Sequence, residues 1–280
     1  MSEFKYLSEK ILDASFIEDP CQHIEIKNFF KKEHIDKILS DKQIHFEKTN
    51  NTRELIDKLI EKKYKIQSFP GCCSNAEEYI TRLESDMWPT ENKSNPVSSY
   101  GITFRVEKYQ SQFMCDLIEY LNGDEFHSCL KKKFSINESS TIITAVQKNL
   151  SKYEISPHPD VRKKCMTYLL NINKDDTVQN YDVHTHLLKF KKEYEYIYDI
   201  WENETNRDRS WVPWDWCETV KTIKTNNTIV VFPPTHKTLH AVKLDYPHND
   251  FQRTQIYGNL MYTSRPKLKK ENYRDLIKRK

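Results

Sequence analysis

The chain has 280 residues, 37% hydrophobic, 30% charged and 12% aromatic, enough for one large domain or two small ones. Only four glycines occur, and neither GxGxxG nor the P-loop pattern is present, so dinucleotide and P-loop chemistry have no support. Net charge is +3, yet residues 265–280 carry eight Lys/Arg and two Asp/Glu; that local +6 leaves about −3 for the remainder, which is not the basic surface of a nucleic-acid-binding protein.

In chain order, residues 1–16 mix charge with apolar positions and contain no apolar h-region, so no signal peptide is expected. Ile24, Ile26 and the Phe29-Phe30 pair predict a short strand leading into a helix over 32–39. Helical spacing of Leu55, Leu59 and Ile60 predicts a helix over 52–63, and 75–87 reads the same way. Between them, 68–74 (SFPGCCS) is a loop by its Pro-Gly pair, and after them the polar stretch 91–99 is a connection. Phe113, Leu117, Ile118 and Leu121 predict a helix that 125–132 continues as a layer.

Thereafter the pattern changes to strands. They are expected at 141–146, 165–173, 184–190, 219–223, 228–232, 238–244 and 252–262, the count of a sandwich or barrel. The run CMTYLLNIN at 165–173 is apolar enough for a strand buried on both faces. An insertion at 191–216, helical at first and then rich in tryptophan (Trp211, Trp214, Trp216), reads as a lid or substrate wall, or else as a surface hydrophobic cluster. The basic tail at 265–280 reads as a solvated terminus. Seven cysteines, an odd number without a CxxC pair, suggest reduced thiols rather than disulfides or a zinc ribbon. With no apolar run long enough to span a membrane, a soluble, cytoplasmic protein is expected.

The chemistry centres on His158-Pro159-Asp160. In an extended segment residues i and i+2 share a side, so the imidazole and the carboxylate converge. Pro159 donates no hydrogen bond and places the segment at a strand end or sheet edge. His240, in the predicted strand TLHAV, is the candidate third ligand. Two histidines and one carboxylate form a facial triad with open positions, which suits Fe(II) oxygenases. Arg253 begins the final strand; its planar guanidinium would anchor the far carboxylate of a dicarboxylate cosubstrate.

Taken together, SPHPDVRKKCMTYLLNIN and TIVVFPPTHKTLHAVKLDYPHNDFQRTQIYGNL resemble the iron(II)/2-oxoglutarate oxygenase superfamily, in particular its prolyl-hydroxylase-like branch, over roughly 140–264. The resemblance implies an α+β fold: a distorted double-stranded β-helix (jelly-roll) core at 140–264, with helices of 1–139 packed against it. It implies His158, Asp160 and His240 as iron ligands, Arg253 as the 2-oxoglutarate anchor, and Fe(II) and 2-oxoglutarate as cofactor and cosubstrate, with ascorbate as an optional support. It implies a dioxygenase that hydroxylates a C–H bond of a peptide or small molecule and releases succinate and CO2. Asn171 and Tyr168, in the strand after the HxD motif, are candidates to assist the cosubstrate; they face opposite sides, so at most one can do so. Prolyl hydroxylases often carry lysine at the anchor, so Arg253 does not itself indicate a prolyl substrate.

Alternatives remain open in the sequence. His236 is the rival third ligand, placed at a strand mouth after Pro233-Pro234-Thr235. His184 and His186 form an HxH pair as in cupins, but no glycine precedes them and the next glutamate is Glu193; they line the pocket, support a ligand, or face solvent. A nucleobase demethylase would need a basic, aromatic groove. A non-enzymatic β-sandwich or cupin-like binding protein would hold no stoichiometric iron.

Overall fold

The computed structural model describes residues 2–86, 94–265 and 268–280; the expected end of the 75–87 helix at Met87 and the start of the 91–99 connection lie outside the described residues. Helices dominate the first half: α1 (Lys5–Asp13), α2 (Lys32–Ser40), α3 (Thr52–Glu61), α4 (Ala76–Glu84), α5 (Gln112–Asn122) and α6 (Asp124–Lys133). Three start on side-chain caps. Asn51, Asn75 and Ser111 accept from the backbone N–H of Glu54, Glu78 and Met114, satisfying donors that a helix start leaves open. Three short strands intervene, β1 (Ile24–Lys27), β2 (Tyr64–Ile66) and β3 (Thr103–Val106).

Eight strands follow: β4 (Ser140–Asn149), β5 (Glu154–His158), β6 (Lys164–Asn171), β7 (Thr185–Phe190), β8 (Cys217–Ile223), β9 (Thr228–Phe232), β10 (Leu239–Lys243) and β11 (Arg253–Tyr262). Among the described residues they build two antiparallel sheets. One has seven strands in the order β1-β9-β6-β11-β4-β3-β2, the other four in the order β5-β10-β7-β8. The chain therefore crosses repeatedly from sheet to sheet, and β4 and β11, far apart in sequence, pair over ten residues from Arg253↔Asn149 to Tyr262↔Ser140.

Period-two alternation gives each sheet two faces. On the outer face of the larger sheet, Phe104, Val146, Met166, Leu170, Ile229, Val231, Ile256 and Leu260 pack against helix residues such as Leu7, Leu55, Leu117 and Phe126 in the main core. Outside the smaller sheet, Leu188, Phe190, Leu239 and Ala241 meet Ile197, Trp201, Val212 and Trp216 of the insertion, whose helix is α7 (Tyr196–Asn203). Between the sheets, Leu169, Leu187, Ile223, Val230 and Phe232 fill part of the space. The rest is a cavity of about 440 Å³.

The basic tail is not a free terminus, contrary to the sequence expectation. Helix α8 (Tyr273–Ile277) buries Leu276 in the same cluster as Trp201, and Glu271 pairs with Arg207 at 2.7 Å and Arg279 at 3.0 Å. Among the described residues, no helix is long and apolar enough to cross a membrane, and all seven cysteines are free thiols.

Candidate metal centre and anion anchor

His158 closes β5 and His240 lies in β10, its antiparallel neighbour, where the two are direct cross-strand partners. Their rings lie 4.4 Å apart, centroid to centroid. Asp160 follows β5 by two residues and completes the cluster; one ligand atom from each of the three lies within 4.8 Å of the others. All three side chains are buried.

Hydrogen bonds aim the ring nitrogens. Nδ1 of His158 meets the carbonyl of Ser156 at 2.8 Å, and Nδ1 of His240 meets that of Thr238 at 3.3 Å. Each ring thus donates from Nδ1 to a carbonyl two residues back, leaving Nε2 as the lone-pair atom toward the carboxylate. The Nε2 atoms stand 3.9 and 3.7 Å from Asp160 Oδ1 and Oδ2. Burial, together with neighbouring positive charge, holds both imidazoles below their ordinary pKa. The neutral form that ligates a metal is therefore the resting one.

Asp160 is held by residues that the sequence did not single out. Lys164 donates to Oδ1 at 2.6 Å and Thr167 to Oδ2 at 2.6 Å. Burial alone would raise the carboxyl pKa, but the Lys164 ammonium outweighs it and holds Asp160 well below the usual carboxylate range. Lys164 in turn keeps its charge: burial opposes it, while Asp160 and Tyr257 raise its pKa. A carboxylate has about four lone-pair positions, so two hydrogen bonds leave each oxygen able to face the histidines.

At the other end of the cavity, Arg253 is 2% exposed. Nε donates to the Val183 carbonyl at 2.6 Å, Nη1 to Asn149 Oδ1 at 2.7 Å and Nη2 to Thr185 Oγ1 at 3.0 Å. Every partner is neutral; among the described residues no carboxylate pairs with it. Burial pushes its pKa down to about 10. A buried cation without a counter-ion is costly unless an anion joins it.

Other expected site residues lie elsewhere. Tyr168 points into the core on the outer face, against Phe126, with its hydroxyl bonded to Thr144; the absence of a side chain at Gly258 leaves room for its ring. It does not reach the cavity, which removes it as a cosubstrate contact. Asn171 shares the inner face with Thr167 and Leu169 but sits past the cavity wall, accepting from Gln255 at 2.7 Å and donating to the carbonyls of Ile223 and Thr225. Gln255, rather than Asn171, meets the cavity. His236 lies in a separate cavity beside Arg209 and Arg162, away from the triad. His184 bonds the Gln179 carbonyl and His186 bonds Thr219 with Trp214 against its ring; neither lines the cavity. Of the insertion, Trp211 reaches the cavity wall, Trp214 bonds Glu154 at 2.7 Å, and Trp216 stacks on Tyr194.

The triad and the guanidinium share one cavity, and solved structures can be set beside that arrangement. The chain is similar in structure to two prolyl hydroxylases and to an oxidoreductase of the 2OG-Fe(II) oxygenase family. A prolyl-4-hydroxylase from Pseudomonas putida is 8% identical, with 93% of this chain and 100% of that one covered and a TM-score of 0.42. A prolyl hydroxylase from Trichoplax adhaerens, solved with a hypoxia inducible factor oxygen degradation domain peptide, is 14% identical, with 93% and 91% covered and a TM-score of 0.47. An oxidoreductase of the 2OG-Fe(II) oxygenase family from Burkholderia pseudomallei is 10% identical, with 81% and 98% covered and a TM-score of 0.35. No family model and no curated protein matches. At TM-scores below 0.5 these likenesses support no functional inference; the geometry of the site does.

Proposed function

We propose that the protein is an Fe(II)- and 2-oxoglutarate-dependent dioxygenase that hydroxylates a C–H bond of a peptide or small molecule, with release of succinate and CO2. On this reading the two sheets are the walls of a distorted double-stranded β-helix. The observation that carries it is the pairing, in one cavity, of a buried His158-Asp160-His240 cluster with a buried Arg253 that has no counter-ion among the described residues.

The donor set fits the metal. Two neutral imidazoles and one ionised carboxylate make a facial triad for Fe(II), with positions left for a cosubstrate and dioxygen. When bound, the iron supplies the oxidation by dioxygen that no side chain here could perform. The chain's own residues position and insulate. Lys164 and Thr167 keep Asp160 ionised and oriented, and the Ser156 and Thr238 carbonyls hold the imidazoles in their ligating tautomer. Arg253 receives the far carboxylate of 2-oxoglutarate, with Asn149 and Thr185 fixing the guanidinium plane and Tyr153 and Gln255 beside it in the wall. The flanking sheets restrict water at the reacting centre, which strengthens every charge interaction there.

The test is anaerobic Fe(II) binding followed by succinate release with 2-oxoglutarate, dioxygen and ascorbate. Stoichiometric iron and iron-dependent succinate are expected. Absence of both would identify a binding protein rather than an oxygenase.

A further inference from the structure

The cavity is far more positive than the protein around it. Five charged side chains line it among the described residues: Arg105, Lys164, Arg253 and Lys270 as cations, and Asp160 as the one carboxylate. Asp160 is matched by Lys164. On the reading above, iron and 2-oxoglutarate cancel in formal charge and Arg253 faces the cosubstrate. That leaves Arg105 and Lys270 without an assignment.

Both are built into place. Lys270 lies where the tail forms a parallel bridge with Asp208, fixed by hydrogen bonds from Asp208 N to the Lys269 carbonyl at 3.1 Å and from Glu271 N to the Asp208 carbonyl at 3.4 Å. The strap lays its ammonium on the Trp211 ring, 3.5 Å from the centroid. Among the described residues no ion pair forms there: burial brings the Lys270 pKa down to about 8, and Asp208 and Asp160 act on it only through space. Arg105 projects from β3 between two rings, 5.3 Å from Phe69 and 5.1 Å from Tyr257, with Nε donating to Gln147 at 2.8 Å. That hydrogen bond and the rings fix the guanidinium plane, while among the described residues no carboxylate pairs with it. A half-buried lysine held on a tryptophan by a folded-back tail, facing the metal site and lacking a carboxylate partner among the described residues, is placed to receive a ligand that supplies negative charge.

We propose that the substrate of this site is an anion, whose carboxylate or phosphate group is held by Lys270 and Arg105 while its apolar part lies along Trp211, Phe69 and Met261. The inference rests on the oxygenase reading and names the class of substrate it would take. Charge at these two positions selects the substrate, and Arg253 selects the cosubstrate.

The test uses the full chain, loaded anaerobically with Fe(II) and saturated with 2-oxoglutarate so that Arg253 is occupied. Benzoate and phenyl phosphate are titrated by calorimetry against their neutral counterparts benzamide and benzyl alcohol. The anions are expected to bind about tenfold more tightly than the neutral probes, and the tighter of the two names the oxyanion. Lys270→Gln and Arg105→Gln should each remove about fivefold or more of that advantage, and Lys270→Arg should keep it. Affinity for 2-oxoglutarate should stay the same in all three variants. Equal binding of charged and neutral probes would overturn the inference alone, as would anion binding that competes with 2-oxoglutarate and disappears in Arg253→Gln. If 2-oxoglutarate itself fails to bind the iron-loaded protein, the oxygenase reading falls and takes this inference with it.

Discussion

The two faces of the seven-stranded sheet share a backbone and differ in almost everything else. Along β11, Thr254, Ile256 and Leu260 face the helices, while Arg253, Gln255, Tyr257 and Asn259 face the cavity. Along β4 the split recurs, with Val146 and Lys148 outward and Gln147 and Asn149 inward. The outer face has apolar layers and helices to bury them, so its side chains contribute stability. The inner face spends buried area on polar groups held by one another, which is tolerable only because each has a partner or awaits a ligand. Stability and chemistry are thus separable by residue parity, and substitutions one position apart should break different properties.

The largest effect is expected at the metal end. Asp160→Ala would also strand Lys164 as an unpaired buried cation, so His240→Gln is the cleaner variant. It should lose stoichiometric Fe(II) and lower succinate release by at least about a hundredfold, as ligand loss must exceed the effect of losing a ligand's supporting partner. Chemical unfolding should show little change. On the outer face the opposite holds. Ile256→Ala removes a fully buried side chain and should cost about 2–5 kcal/mol in urea unfolding, while iron and 2-oxoglutarate binding in the surviving folded protein stay intact. Loss of cosubstrate affinity in Ile256→Ala at unchanged fold would contradict the separation. One position inward of Thr254, Arg253→Met should weaken 2-oxoglutarate by roughly a hundredfold, the cost of breaking a buried charge-assisted pair, and leave iron stoichiometry unaltered. Equilibrium dialysis with labelled 2-oxoglutarate measures it directly.

How much of this was legible in the sequence follows the same division. Local patterns gave the strands that carry the site: TIVVF became β9 over the expected residues, and HPD marked the end of β5. The late His240 and Arg253 stood out as candidates by their spacing and because one occupies and the other begins an expected strand. What escaped was fixed by partners distant in the chain. Strands β2 and β3 have three and four residues, too short for a period to declare itself, and exist by pairing with each other and with β4. Helix α1 has no side-chain cap at Phe4, so no start signal marks it. Lys164 and Thr167 approach Asp160 only after the chain turns into β6, and Lys270 enters the cavity through its bridge to Asp208. Tyr168 looked like a polar pocket residue; its strand parity sends it into the core, where Thr144 satisfies its hydroxyl.

Lys148 is the exception that tests the separation most finely. It lies on the apolar outer face, fully buried, donating to Thr254 Oγ1 at 2.6 Å with its ammonium 5.5 Å from the Phe46 ring and 5.9 Å from Tyr64. Burial lowers its pKa to about 7 from 10.5. In the window between those values the unfolded chain binds more protons than the folded one, so this lysine's penalty is full below about pH 7 and shrinks as pH rises toward 10.5. Lys148→Met keeps the chain length, loses one hydrogen bond to Thr254 and removes the buried charge, so it should stabilise the protein by about 1–2 kcal/mol at pH 7. Urea unfolding of both proteins at pH 7 and pH 9 checks the sign, since the gap between them should narrow at the higher pH. A gap that stays constant would mean the ammonium is adequately solvated by its hydroxyl and two rings. A Lys148→Met variant that also loses 2-oxoglutarate would mean that the outer face reaches into the chemistry after all.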